Sequence, residues 1–205
     1  YHLDKLPTIS DASKRTLVGT INSVAVSATD GSVTVNFTLM NGTTPVTAPA
    51  AFKNLAFSLA KLLPAANGAS THWLSYTGRF RSKDAAQVPV HQGYAENALP
   101  ANLTNVGAGV WTYKFQLLNF VIPGDIRSGI TNVLNVSTIA PWSTVVSYPK
   151  AISYEPTLTH RVGMLVQDAA GVDAKANAFF DFVPSGATVA TTRNIVTSDN
   201  CATCH

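Results

Sequence analysis

The stretch from Ser32 to Met40, SVTVNFTLM, alternates apolar and polar residues without a slip and puts Val33, Val35, Phe37 and Leu39 on one face. A period of two is the signature of an extended strand with one face buried, and it is incompatible with a helical stripe. Asp30-Gly31 precedes the stretch and Asn41-Gly42 follows it. Both pairs supply the positive backbone angles that tight hairpin turns require. Leu17 to Ala28 alternates more roughly and is rich in β-branched residues, so the two segments form a hairpin.

The same pattern recurs down the chain. Leu55 to Leu63 (LAFSLAKLL) has apolar spacing that fits a helix or a strand, and its neighbours favour a strand. His72 to Phe80 is aromatic-rich and reads as a strand. Residues 82–108 lack periodicity and read as a long excursion, a place where functional or partner-binding loops often sit. Val110 to Phe120 is a strand with Trp111, Tyr113 and Phe115 on one side, and Ile126 to Thr138 is mixed enough to accommodate a helical turn. Thr159 to Val166 and Ala176 to Val183 form a hairpin about Ala170-Gly171, and Val189 to Val196 is extended. Residues 1–14 read as a polar arm. The count is seven to nine strands in an all-β sandwich, one domain over 1–187 followed by a connector and closing segment over 188–205.

Charged residues are 12% of the 205 positions, about half the usual share, while 46% are hydrophobic. The core is therefore ample and the surface largely neutral. The formal charge of +3 is spread over scattered basic residues with no run interleaved with aromatics, which excludes a nucleic-acid interface. Arg79, Arg81 and Lys83 alternate in the manner of a charged strand edge. No run of about 18 apolar residues exists to form a membrane-spanning helix. There is no G-x-S-x-G elbow, H-E-x-x-H, phosphate loop or dinucleotide fingerprint, so the chain reads as non-enzymatic with no catalytic residues. Asp181 and Glu155 read as ordinary surface or turn acids. No D-x-D-x-D-G run supports a calcium site.

The chain closes on Cys201-Ala202-Thr203-Cys204-His205, the C-x-x-C-H pattern of covalent haem c attachment. Two thiols three residues apart can each add to one vinyl group on the same porphyrin edge. The adjacent imidazole of His205 then lies under the ring as an axial iron ligand. A bare C-x-x-C is also compatible with a redox dithiol or half a zinc site. The first lacks the βαβ setting it needs, and the second lacks two nearby ligands, the other histidines being His2, His72, His91 and His160. Covalent haem c is added outside the bacterial cytoplasm, so the motif implies an exported protein.

Several phrases occur in one order: LAFSLAKLLP, HWLSY, GVWTYKF, THRVGM, FFDFVPSG and TTRNIVTSDNCATCH. The run resembles the N-terminal region of OmcA/MtrC-type extracellular multihaem cytochromes. The resemblance implies an immunoglobulin-like or Greek-key sandwich ahead of a haem-bearing region, with Cys201, Cys204 and His205 as the first haem site. It implies electron transfer at the bacterial outer membrane or cell surface, with other haems or cytochromes, an outer-membrane protein or a second copy of the chain as partners. One motif, against several in that family, leads us to expect the head of a longer polypeptide. The resemblance allows a calcium site and implies a second axial His. His160 is the candidate inside the chain, since its strand pairs near FFDFV, whose exit leads to the motif; a His outside residues 1–205, beyond residue 205 or from another chain, is the placement expected. Met40 and Met164 read as core. A second functional class remains, an immunoglobulin-like module that docks a cytochrome to a partner or to copies of itself.

Overall fold

The computed structural model describes residues 17–29, 31–48, 52–81, 90–93, 95–98, 100–116, 120–121, 152–168 and 175–194. Within them β1 (Leu17–Val26) and β2 (Val33–Asn41) form the expected antiparallel hairpin. Val33, Val35, Phe37 and Leu39 are all fully buried on one face of β2. The short β3 (Thr44–Pro45) folds back on the end of β2, and the chain then crosses to a second sheet through β4 (Phe52–Leu63). The ambiguous LAFSLAKLL segment is therefore a strand, with Leu55, Phe57, Leu59 and Lys61 facing inward.

After β4 come β5 (His72–Ser75), β6 (Gly78–Arg81), β7 (Val90–Gly93) and β8 (Glu96–Asn97). A single 3-10 turn over Pro100–Asn102 leads into β9 (Leu103–Gly107) and β10 (Val110–Lys114). Then β11 (Phe120–Val121) pairs in parallel with β12 (Ile152–Ser153), and β13 (His160–Asp168) turns back as β14 (Lys175–Phe182).

The first sheet runs β1-β2-β10-β9, and the second runs β14-β13-β4-β5 with β8 also on β4. In immunoglobulin lettering these are the orders A-B-E-D and G-F-C-C′, with the chain changing sheets between B and C, between C′ and D, and between E and F. The fold is thus an all-β, immunoglobulin-like sandwich with eight principal strands. Its core joins Phe37, Trp111 and Tyr113 of the first sheet to Phe57, Leu59, Val162 and Met164 of the second. Phe57 sits at the centre, stacked on Tyr113 at 4.6 Å and edge-on to Phe37 at 5.2 Å. Gly19 on β1 lets the sheets close, because a Cβ there would lie 2.5 Å from Cε of Met164.

The structure corrects the sequence reading in three places. The aromatic strand from His72 to Phe80 is two strands, because the Ser75 hydroxyl bonds the Thr77 carbonyl at 2.6 Å and turns the chain after Tyr76. β6 then pairs with β7 and not with the main sheet. The excursion over 82–108 holds three strands, of which β9 was hidden by its polar, exposed residues Thr104 and Asn105. The strand from Val110 ends at Lys114, and Phe120 belongs to the separate β11. Residues 1–14, Ala170-Gly171, Ile126 to Thr138 and 195–205 lie outside the described residues.

Candidate haem-attachment segment and its anchorage

Alternation along β13 sends neighbouring residues to opposite faces. His160 points into the sandwich and Arg161 points out. Arg161 stands opposite Asp181 on β14, and its guanidinium makes a two-pronged bond to that carboxylate, Nε to Oδ1 at 2.6 Å and Nη2 to Oδ2 at 2.8 Å. The guanidinium carbon lies 4.6 Å from the centre of the Trp73 ring and 4.3 Å from that of the Phe179 ring. Both charged side chains are largely covered, with 18% and 14% exposure. Such a pair is held more firmly than an open surface ion pair, because it is two-pronged and packed against two aromatic rings.

The free edge of Arg161 faces the chain on its way to the cysteine motif. Nη2 donates to Thr192 Oγ1 at 3.0 Å and to Asn194 Oδ1 at 2.8 Å, and Nη1 donates to the Arg193 carbonyl at 3.3 Å. With only two hydrogens for three acceptors, Nη2 shares one of them. The Arg193 carbonyl takes a second bond from Trp73 Nε1 at 2.9 Å, and the Thr191 carbonyl accepts from the Thr159 hydroxyl at 2.8 Å. Thr192 closes the ring by donating to Asp181 Oδ2 at 2.5 Å. Residues 191–194 thus lie outside the strand ladders, held on the second sheet by side chains. Burial alone would raise the Asp181 carboxyl, but the bonds from Arg161 and Thr192 and the Arg161 charge outweigh it and hold the group below its ordinary value.

On the inner side His160 is 1% exposed. Its Nδ1 lies 2.9 Å from the Leu158 carbonyl and its Nε2 lies 3.0 Å from the Tyr76 hydroxyl. A carbonyl only accepts, so Nδ1 carries the proton and Nε2 accepts from Tyr76. Tyr76 stacks on the imidazole at 5.5 Å, and Phe182 and Tyr154 tilt against it. Burial lowers the His160 pKa and raises that of Tyr76, where the charge of Glu155 adds to the effect. Beside them the buried Lys61 meets Glu155 at 2.5 Å. The nitrogen that would bind iron is thus occupied by Tyr76.

A third polar group spans the sheets. Glu96 on β8 accepts from the buried Tyr113 hydroxyl and from the Gln116 backbone N–H, the latter at 2.8 Å. Burial, then the hydrogen bond to Glu96, pushes Tyr113 above its ordinary range. Among the described residues no three His, Cys, Asp or Glu side chains are grouped to hold a metal ion, and no helix is long and apolar enough to cross a membrane.

The chain is similar in structure to the outer membrane decaheme cytochrome OmcA, with 25% identity and a TM-score of 0.64 over 93% of this chain. Its fold is that of an OmcA/MtrC-type domain. MtrC from Shewanella baltica OS185 shares the fold at 20% identity and a TM-score of 0.54 over 92% of the chain. The chain spans 26% of the length of each of these proteins. No family model and no curated protein sequence matches it.

Within this fold the sequence-derived residues fall in different places. Cys201, Cys204 and His205 lie outside the described residues, while His160 lies in the core. The donor set of the motif fits haem c: two thiols for two vinyl additions and one imidazole for iron use every Cys in the chain. Sequence reasoning missed Arg161 and took Asp181 and Glu155 for ordinary acids, whereas one clamps the connector and the other pairs with a buried lysine. A signal existed: Arg161 and Asp181 are equidistant from Gly171, so a hairpin about that glycine sets them face to face.

Proposed function

We propose that this chain carries covalent haem c and serves in extracellular electron transfer as an exported, outer-membrane or cell-surface protein. The observation that carries the reading is a C-x-x-C-H motif that follows, after a connector, a sandwich whose fold matches a decaheme outer membrane cytochrome. Cys201 and Cys204 would hold the porphyrin and His205 would bind the iron. Bound there, haem supplies a one-electron centre that cycles between ferric and ferrous states without transforming a substrate.

The sandwich, over about 1–187, folds on its own aromatic core, and the connector over 188–205 delivers the attachment site. The inward placement of His160, with both ring nitrogens engaged, supports a distal His from outside residues 1–205. The partners of this centre are other haems, in the same polypeptide or a neighbouring cytochrome. The test is optical. Expressed with c-type maturation, the chain should show a Soret band and an α-band that appears on reduction and disappears on oxidation. A colourless protein that self-associates would favour the docking module instead.

A further inference from the structure

We infer that Arg161 is the positioning residue for the haem site, holding residues 192–194 of the connector that leads to it against the outer face of the second sheet. The inference rests on the reading that Cys201 and Cys204 carry haem. The guanidinium packs against the Trp73 and Phe179 rings and is paired along one edge with Asp181, which leaves its other donors for the connector. Those donors meet Thr192, Arg193 and Asn194 in succession.

Cys201 follows Asn194 by seven residues. Seven residues span at most roughly 23–25 Å when fully extended. The clamp therefore bounds the distance of the first thiol from a fixed point on β13. Arg161 supplies three of the bonds that hold these residues, one to each of Thr192, Arg193 and Asn194, and shares the anchorage with the bonds from Trp73 to the Arg193 carbonyl and from Thr159 to the Thr191 carbonyl. Electron transfer between haems needs a defined separation, so a fixed tether has a functional consequence that domain stability does not. Lys cannot replace Arg here, because an ammonium is a point charge without the plane that stacks or the fork that reaches both partners.

The test uses the full haem-loaded chain with cyanide on ferric iron, giving a low-spin paramagnetic centre. Redistribution of pseudocontact shifts across the amides of β13 and β14 then reports where the haem sits. Three variants are compared: Arg161→Lys, a Thr192→Val/Asn194→Ala double variant that leaves the sheet intact, and Thr192→Ser as the conservative control. The native shifts should fit a single haem position. They should shrink by more than half in the first two variants and be retained in Thr192→Ser, with one haem in every mass spectrum and unfolding midpoints close to native for the double variant. Full shifts in both Arg161→Lys and the double variant, with haem attached, would overturn the inference while leaving the haem reading intact. A native chain without haem mass would overturn the haem reading and this inference together.

Discussion

Replacing His160 with Ala separates a packing role from an iron-ligating one. The side chain is 1% exposed and touches Tyr76, Tyr154 and Phe182. Truncating a buried side chain of this size costs about 2–5 kcal/mol in transfer and cavity energy. The change also removes the Nε2 acceptor of the Tyr76 hydroxyl, and one such hydrogen bond is worth about 0.5–1.5 kcal/mol. The sum, roughly 2.5–6.5 kcal/mol, is a large part of the ~5–15 kcal/mol that holds a domain folded. At about 2–4 °C per kcal/mol for a domain of this size, even the lower end lowers Tm by roughly 5–10 °C. His160→Gln, which keeps an acceptor for Tyr76, should lose less than half as much. Circular dichroism melts measure both, and electron paramagnetic resonance of the oxidised protein in its intact assembly measures spin state. The expected result is a large Tm loss with the haem still low-spin. A near-native Tm with a haem turned high-spin would refute the reasoning and make His160 the distal ligand.

Gly109→Ala should destabilise by about 2–4 kcal/mol, combining a left-handed backbone penalty with overpacking, because φ is +77° and the new Cβ would lie 2.6 Å from the Leu39 carbonyl. Urea unfolding checks this, and a loss below about 1 kcal/mol would contradict it. Stability should also fall with pH in two windows. The folded pKa of His160 lies below its ordinary 6.5, so the unfolded chain binds the extra proton and stability drops as pH falls below about 6.5. The folded pKa of Asp181 lies below 3.8, so its contribution is present above that value and is lost as pH falls through the folded pKa. Urea midpoints across pH 3–8 measure both, and the acid-side drop should be smaller in Asp181→Asn.

The parts of the fold legible in the sequence are those where one face is buried and the other wet. Val33, Val35, Phe37 and Leu39 announce β2 because their alternation has no exception, and Trp111, Tyr113 and Phe115 announce β10 in the same way. Edge strand β9 was invisible because most of its side chains meet water, while Leu103, the Asn105 bond to the Thr47 carbonyl and the backbone pairing tie it down. Lys61 looks like a surface residue in LAFSLAKLL, yet it is buried because Glu155, 94 positions away, meets it. The haem motif is local and could be read directly. Its anchorage could not, since Arg161, Trp73 and Thr192 come from three distant segments that only the folded sheet brings together.

The central claim is that Cys201 and Cys204 carry haem c, and intact-protein mass spectrometry after acid–acetone extraction tests it most directly. The chain and a Cys201→Ala/Cys204→Ala variant would be matured in a host that attaches c-type haem. The account predicts the mass of one haem on the native chain, none on the variant, and the same β-sheet circular dichroism in both. Absence of haem from the native chain, or haem that survives extraction on the variant, would contradict it.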